Sequence, residues 1–326
     1  MEYSKDFLLG LYRMMVRIRE FEETGEKLML GGKLPGSLHQ YVGEEAIAVG
    51  ATANLRNDDY ITSTHRGHGH MIAKGANTQK MMAELYGKST GYCKGKGGSM
   101  HMMDLSIGVL GANGIVGGGL PIATGAGLGI KVRGTDQVVV AFFGDGGSNT
   151  GAFHESLNFC AIYKLPVIFM VENNKFATTT RVEESTSVEN ISDRAAGYTI
   201  PGFSIDGNDV IEVYETVKEA VKRARAGDGP TLIEAKTYRL KGHFVGDSRA
   251  YRTQEEVDKF WPHEPIRRLG KKLRQSGVLS DGEKERIEQE TKKEMEEAVK
   301  FAEESPLPLP EDALKDLFVD DSGYDY

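Results

Sequence analysis

Cysteine is nearly absent from this 326-residue sequence, which contains only Cys93 and Cys160. Two cysteines cannot build a disulfide framework or a four-cysteine zinc site, so the sequence favours a reducing compartment and predicts a cytoplasmic location. Long apolar runs are missing as well, since VVVAFF and LPVIFMV have the length of a strand and are too short to cross a membrane. The first helical stretch carries acidic residues and no small-residue cleavage site, so we expect no targeting segment.

An excess of positive charge is also lacking. The 40 lysines and arginines are outnumbered by 48 aspartates and glutamates, which gives a net charge of −8. This balance argues against a nucleic-acid partner, and the short apolar runs argue against a membrane partner. Glycine, in contrast, is plentiful at 40 residues and clusters between residues 87 and 151, so tight turns and close backbone contacts are expected there.

Alternating apolar segments predict an α/β fold with a mostly parallel sheet flanked by helices. The apolar runs 137–143 and 166–172 enclose a helical pattern at 151–163, which is typical of a βαβ unit with parallel strands. Further strands are predicted at 60 and over 231–240. Helices are predicted over 4–30, 43–54, 122–132, 209–226, 254–275 and 281–304, the last with a capping box of Ser280 and Glu283.

The stretch GDGGSNT, residues 144–150, follows the first of these strands and places a carboxylate in a glycine-rich loop. Such loops usually bind phosphate through backbone N–H groups, and Asp145 would repel it. The next strand ends at Asn173 and Asn174, and parallel strands bring their carboxyl ends to one edge of the sheet. Carboxylate and amide oxygens are suitable ligands for Mg²⁺ or Ca²⁺. A metal ion between the Asp145 carboxylate and a phosphate would turn their repulsion into attraction. Alternatively, Asp145 caps the following helix and the asparagines are turn residues.

A nicotinamide-binding interpretation of the same glycines is weaker. The dinucleotide motif needs a third glycine, and Asn149 stands at that position. No acidic residue lies at the distance expected for a ribose contact, because Glu172 is too far along the chain. An NAD-dependent oxidoreductase is therefore a remote alternative.

The histidine-rich stretch HRGHGH, residues 65–70, allows three interpretations. Its histidines could bind zinc, but Arg66 lies inside the cluster and would repel a dication. A guanidinium with neighbouring imidazoles suits an anion such as phosphate better. The third possibility is a loop of half-buried structural histidines. His39 and His243 are isolated in the sequence, and the residues alone do not assign them a role.

The segment GANGIVGGG, residues 111–119, combines close backbone approach with two apolar side chains. Ile115 and Val116 could contact a flat ring, or the segment could be a simple turn.

Taken with these features, the sequence resembles one family over nearly its whole length. The stretch from GDGG to the paired asparagines resembles the thiamine diphosphate-binding motif, which begins with GDG and ends in paired asparagines about thirty residues later. GSLHQYVGEEA, YITSTHRGHGH, GYCKGKGGSMHM and KGHFVGDSRAYRT resemble the α subunit of the E1 component of 2-oxo acid and acetoin dehydrogenase complexes. The resemblance implies a single thiamine diphosphate-binding domain over 1–326, of the diphosphate-binding half, with C-terminal helices and a tail from about 254.

The resemblance also implies roles for individual residues. Metal ligands would be the side chains of Asp145 and Asn174 and the carbonyl of Phe176. The implied contacts to the cofactor are His65, Arg66, Gly114, Val116, Gly144, Gly146, Gly147, Asn174 and His243. The implied catalytic residues are His39, His68 and His243.

The cofactors implied are thiamine diphosphate and Mg²⁺, and the reaction is cleavage of acetoin or decarboxylation of a 2-oxo acid. The two-carbon unit would pass to the lipoyl group of an E2 acyltransferase. A separate β subunit would complete the site in an α2β2 heterotetramer, so we expect the isolated chain to be inactive. An acetoin-type substrate is favoured, with pyruvate or a branched-chain 2-oxo acid as the alternative. A non-catalytic scaffold chain is remote, because Asp145, Asn174, Arg66 and His243 are all present.

Overall fold

A computed structural model describes residues 3–316 of the chain. The strands of the described region are β1 (Tyr60–Thr62), β2 (Val139–Gly144), β3 (Val167–Asn173), β4 (Phe176–Ala177), β5 (Thr180–Arg181), β6 (Gly202–Asp206) and β7 (Thr231–Lys236). Five of them form one parallel sheet in the order β1-β2-β3-β7-β6, and the short β4 and β5 pair as an antiparallel hairpin.

Eleven α-helices accompany the sheet within the described range. They are α1 (Lys5–Leu30), α2 (Glu45–Thr52), α3 (His68–Ala73), α4 (Thr78–Leu85), α5 (Gly119–Arg133), α6 (Gly151–Ile162), α7 (Val182–Ser185), α8 (Val210–Arg225), α9 (Gln254–Phe260), α10 (Pro265–Gln275) and α11 (Asp281–Glu304). No helix among residues 3–316 is both long enough and apolar enough to cross a membrane.

The central strands β2 and β3 are buried on both faces and separate two apolar cores. Along β2, Val140 and Phe142 join the core formed with α1, α2 and α8, whereas Ala141 and Phe143 join the core formed with α5 and α6. This alternation follows from the two-residue period of a strand. A parallel sheet covered by helices on both faces explains why its strands read as continuous apolar runs. The α/β prediction is confirmed.

The predicted βαβ unit is also confirmed. Strands β2 and β3 are hydrogen-bonded parallel neighbours in a register that pairs Gly144 with Glu172. The two segments that follow, at Asp145 and Asn174, therefore leave the sheet at the same edge. The capping box before α11 is present too, since Ser280 Oγ accepts from Glu283 N at 3.2 Å and Glu283 Oε2 accepts from Ser280 N at 3.0 Å.

The prediction of one helix over 254–275 is wrong. The chain forms α9, then a short 3-10 turn over Trp261–His263, then α10. Pro265 occupies the first position of α10, where its missing N–H costs nothing, and Glu264 caps that helix. A continuous helix would have required an interior proline at this point, which breaks the backbone hydrogen bonding.

Strand β6 was not predicted, and its sequence explains why. GFSID has little apolar alternation, and three of its five residues are exposed because β6 lies at the edge of the sheet. The predicted strand over 231–240 ends at Lys236, and Tyr238 and Arg239 belong to the loop beyond it. The acidic end of the predicted tail, residues 317–326, lies outside the described residues.

Candidate active site

A cavity of about 190 Å³ opens at the carboxyl edge of the sheet, where β2 and β3 end. A larger groove of about 760 Å³ lies elsewhere, between α1, α10 and α11, and contains none of the predicted site residues. The residues that line the cavity at the sheet edge include His39, Glu44, Ser63, His65, Arg66, Gly114, Val116, Gly144, Asp145, Gly146, Gly147, Glu172, Asn174, Phe176, Thr178, Arg239 and His243.

Asp145 leaves β2 and enters a 3-10 turn that ends at Asn149. Its carboxylate is buried, and its Oδ2 has no hydrogen-bond partner among the residues that the structure describes. Burial disfavours the ionised form and raises the pKa of Asp145 to about 6. The helix that follows is capped by Thr150, whose Oγ1 accepts from Phe153 N at 3.4 Å, so the alternative role of Asp145 as a helix cap is wrong.

Asn174 lies just beyond the end of β3 and is also buried. Its Nδ2 donates to Glu44 Oε1 at 2.9 Å, and its Oδ1 accepts a long hydrogen bond from Phe176 N at 3.3 Å. The turn between them requires Lys175 in the left-handed region, at φ 73°. Asn174 therefore belongs to a turn, as expected. Its amide oxygen accepts the hydrogen bond from Phe176 N and keeps a second lone pair that could bind a ligand.

These oxygens fit a small, hard cation. The set comprises a buried carboxylate whose Oδ2 has no hydrogen-bond partner among residues 3–316, an amide oxygen, and the carbonyl of Phe176, which accepts from Arg239 Nη1 at 3.1 Å. Mg²⁺ prefers oxygen ligands of this kind. Within residues 3–316 no group of three or more His, Cys, Asp or Glu side chains is placed to bind a metal.

The glycines of the loop allow close approach of neighbouring chain. A Cβ at Gly146 would lie 2.7 Å from the Cβ of Ala177, so only glycine fits between the loop and the β4–β5 hairpin. Gly144 and Gly147 line the same cavity, and Gly114 and Val116 line it from the segment before α5. The structure therefore brings together all the glycines and the valine that the sequence singled out.

Two buried arginines supply positive charge to the cavity. Arg66 donates to Gln40 O at 2.6 Å and to His243 O at 3.1 Å. Arg239 donates to Phe176 O at 3.1 Å and to Thr178 O at 2.7 Å. Backbone carbonyls fix both guanidinium groups in place, as suits an anion site. Sequence reasoning missed Arg239, because only the pairing of β7 with β3 places this residue at the cavity.

Three imidazoles face one another across the cavity. The ring centroids of His39 and His65 are 5.0 Å apart, those of His39 and His243 are 5.0 Å apart, and those of His65 and His243 are 5.4 Å apart. His39 Nδ1 and His65 Nε2 are buried and have no partner in the described part of the chain. Burial and then Arg66 lower the pKa of His39 to about 3, of His65 to about 2 and of His243 to about 4. The cluster is therefore uncharged at neutral pH.

His68 is placed differently from the other predicted site residues. It is fully buried in the first turn of α3, outside the residues that line the cavity. Its Nδ1 lies 3.1 Å from the Glu22 carboxylate, and its Nε2 lies 3.0 Å from Ser99 Oγ. Both ring nitrogens have partners in the core, and its catalytic role stays a prediction.

A hydrogen-bond network behind the cavity was not predicted. His70 Nδ1 lies 2.8 Å from Ser63 Oγ, and its Nε2 lies 2.9 Å from Glu172 Oε1, which also accepts from the Tyr41 hydroxyl. The His70 ring stacks on the Phe142 ring, with 3.9 Å between the ring centroids. The residues of this network come from segments up to 131 positions apart, so no local sequence pattern indicates them.

Replacement of His65 by Gln should make the protein less sensitive to acid. Between pH 6.5 and the folded-state pKa of about 2, the unfolded chain binds a proton at His65 that the folded chain does not. The free energy of unfolding therefore falls with falling pH, and this side chain contributes about 1.4 kcal/mol per pH unit below pH 5.5. Urea unfolding at pH 7, 5.5 and 4.5 measures the slope.

The matched control for this measurement replaces the exposed His263 by Gln. We expect the control to follow the wild-type pH dependence and His65→Gln to show a slope reduced by about one proton. Equal slopes for wild type and His65→Gln would contradict the neutral state of this imidazole in the fold.

Comparison with known proteins agrees with this geometry. The family model "Dehydrogenase E1 component" matches residues 12–311. The α subunit of acetoin:2,6-dichlorophenolindophenol oxidoreductase from Bacillus subtilis is 48% identical over 97% of this chain and 95% of its own length. The same subunit from Cupriavidus necator is 47% identical over 97% of this chain and 95% of its own length. The pyruvate dehydrogenase E1 component subunit alpha of Rhizobium meliloti is 39% identical over 98% of this chain and 92% of its own length. The predicted resemblance is confirmed, and the chain belongs to the dehydrogenase E1 component family.

Proposed function

We propose that the chain is the α subunit of a thiamine diphosphate-dependent E1 enzyme that cleaves acetoin and passes the two-carbon unit to a lipoyl group. The observation that carries this proposal is the buried Asp145 carboxylate, whose Oδ2 has no hydrogen-bond partner among residues 3–316; Asp145 follows the end of β2, and Asn174 follows the end of the neighbouring β3. A buried carboxylate without a partner is costly unless a cation compensates it. Mg²⁺ bound by Asp145, Asn174 and the Phe176 carbonyl would supply that cation and bind the diphosphate.

The residues around this site have separable roles. Arg66 and Arg239 are held by backbone carbonyls, so their remaining donors would contact the diphosphate with little loss of side-chain freedom. Gly114 and Val116 would contact the pyrimidine side of the cofactor. Thiamine diphosphate supplies a carbanion and an electron sink when bound. The chain itself would bind the cofactor, orient it and exclude water from its surroundings.

The neutral histidine cluster favours a neutral substrate. His39 and His65 each present a buried ring nitrogen without a partner, and both imidazoles are uncharged at neutral pH. A hydroxy ketone has one hydroxyl and one carbonyl oxygen, which match neutral donors and acceptors. The carboxylate of a 2-oxo acid would gain more from a cationic partner than these imidazoles provide. The names of two relatives, both acetoin oxidoreductases, support the same choice.

Pyruvate dehydrogenation remains the second candidate. The chain covers 92% of the Rhizobium meliloti pyruvate dehydrogenase subunit at 39% identity. The partners proposed are a β subunit, in an α2β2 heterotetramer, and a lipoyl-bearing acyltransferase. A cytoplasmic location and a single domain over 1–326 also stay predictions.

Calorimetric titration with thiamine diphosphate tests the cofactor. We expect binding in the presence of Mg²⁺ and none after removal of Mg²⁺ with a chelator, while NADH does not bind in either case. Binding of thiamine diphosphate without a divalent cation would contradict the proposed role of Asp145.

Turnover assays with and without a coexpressed β subunit test the proposed substrate and the need for that subunit. The complex should reduce a dye acceptor with acetoin faster than with pyruvate or a branched 2-oxo acid, and the isolated chain should be inactive. Faster turnover of pyruvate would favour the second candidate, and full activity of the isolated chain would overturn the need for a β subunit.

A further inference from the structure

Two adjacent glutamates at the start of α2 have different surroundings. Glu45 accepts from Arg19 Nε at 2.6 Å and from Gly43 N at 3.0 Å. Glu44 lines the cavity at the sheet edge, is 1% exposed, and accepts from Asn174 Nδ2 at 2.9 Å. Glu44 precedes α2, but its side chain makes no capping hydrogen bond to that helix. Its carboxyl group instead contacts Asn174, which lies 130 residues further along the chain.

The contact between Glu44 and Asn174 matters because the side-chain amide has two unlike ends. Its oxygen can bind a cation, whereas its NH₂ group would repel one. A rotation of about 180° exchanges the two ends with little change in shape. The NH₂ group faces Glu44, because Asn174 Nδ2 donates to Glu44 Oε1, an oxygen that can accept in the ionised carboxylate and, as the C=O oxygen, in the neutral carboxyl group. The other hydrogen bond that fixes the amide, which Phe176 N donates to Asn174 Oδ1, is long at 3.3 Å and therefore weaker.

The surrounding charges keep Glu44 in place. Burial raises the pKa of Glu44 to about 8, and Arg66, itself fixed by the Gln40 and His243 carbonyls, opposes this rise because it attracts the ionised carboxylate. The backbone of Glu44 is fixed as well, since its N–H donates to Tyr41 O at 3.2 Å and its carbonyl accepts from Ile47 N at 3.0 Å. An acceptor anchored in this way restrains the orientation of its partner.

We infer that Glu44 is a positioning residue for the metal site: it holds the Asn174 amide so that Oδ1 is available to the magnesium ion. This inference rests on the proposed function, since it assumes that Asn174 is a metal ligand. Partners that orient a metal ligand in this way typically change metal affinity 10- to 100-fold when they are removed.

The test measures Mg²⁺ affinity directly and not activity. The full chain, assembled with its β subunit, is titrated with Mg²⁺ by calorimetry and with Mn²⁺ by electron paramagnetic resonance, both at a fixed excess of thiamine diphosphate. Glu44→Met retains length and removes the acceptor, so we expect a 10- to 100-fold weaker affinity. Glu44→Gln retains an acceptor oxygen and should recover most of the wild-type affinity.

The neighbouring glutamate provides the control. Glu45→Gln weakens the buried pair with Arg19 and should lower the unfolding midpoint without changing Mg²⁺ affinity. Wild-type affinity in Glu44→Met would overturn the inference, and so would equal losses in Glu44→Met and Glu44→Gln. If the wild-type protein itself binds thiamine diphosphate without a divalent cation, the proposed function fails instead, and the two failures are distinguishable.

Discussion

Replacement of Asp145 by Asn should abolish magnesium-dependent binding of thiamine diphosphate and, at the same time, stabilise the free chain. The first effect follows because the substitution removes the only carboxylate from the proposed oxygen set of Asp145, Asn174 and Phe176. We expect a loss of roughly 100-fold or more in cofactor affinity, which corresponds to about 2.7 kcal/mol. Calorimetric titration at fixed Mg²⁺ measures it.

The stabilisation has the opposite sign because burial disfavours the Asp145 carboxylate in the free protein by more than the nearby backbone N–H groups and Arg239 offset. The pKa of Asp145 rises from 3.8 to about 6 in the fold, so above pH 6 the ionised side chain opposes folding. The penalty is about 3 kcal/mol at pH 7.5, and it disappears as the pH falls from 6 towards 4. Urea unfolding without ligand should therefore show Asp145→Asn more stable than wild type at pH 7.5 and similar to it at pH 4.

A surface carboxylate serves as the control for both effects. Asp136→Asn changes an exposed aspartate that pairs with Arg56 at 2.8 Å, far from the cavity lining. It should leave cofactor affinity unchanged. If Asp145→Asn loses stability in the free protein, or binds the cofactor as wild type does, Asp145 is a structural residue and not a metal ligand.

The strand-end rule explains why the sequence could predict the oxygen set. Asp145 and Asn174 each follow an apolar run of strand length, and the parallel register of β2 and β3 then brings them to one edge. The strand-end rule does not apply to His68, which begins the short helix α3 and lies in the core beside Glu22. Spacing within HRGHGH does not determine which histidines face the cavity.

Glu44 and Arg239 could not be predicted as site residues, and the reason is tertiary. Glu44 stands in a stretch that reads as a helix start, and its contact with Asn174 spans 130 residues. Arg239 lies in the loop after β7, which pairs with β6 on one side and with the distant β3 on the other. Only the strand order places Arg239 beside Phe176. Sheet topology, and not local propensity, therefore completes the site.

An exposed apolar surface on α5 and α6 matches the proposed β subunit. Val132 is 78% exposed and Ile162 is 65% exposed, and the ends of the two helices adjoin because Lys131 Nζ donates to Tyr163 O. A Cβ added at Gly125 or Gly129 would meet no other atom, so another backbone could approach α5 closely. The other large apolar side chains exposed on these two helices and just after α6 are Ile122, Leu128, Phe159 and Tyr163. Large exposed apolar side chains on two adjoining helices are typical of interaction sites.

The double variant Val132→Asp with Ile162→Asp should therefore fail to assemble with a β subunit. Two carboxylates buried at an apolar contact without partners cost several kcal/mol, which is enough to prevent co-purification at micromolar concentration. The free chain should keep its wild-type unfolding midpoint, because both side chains are largely exposed before assembly. Leu30→Asp, at a 70% exposed position ending α1, is the control and should still assemble. Size-exclusion chromatography with light scattering separates the outcomes, and normal assembly of the double variant would place the β subunit on another face of the molecule.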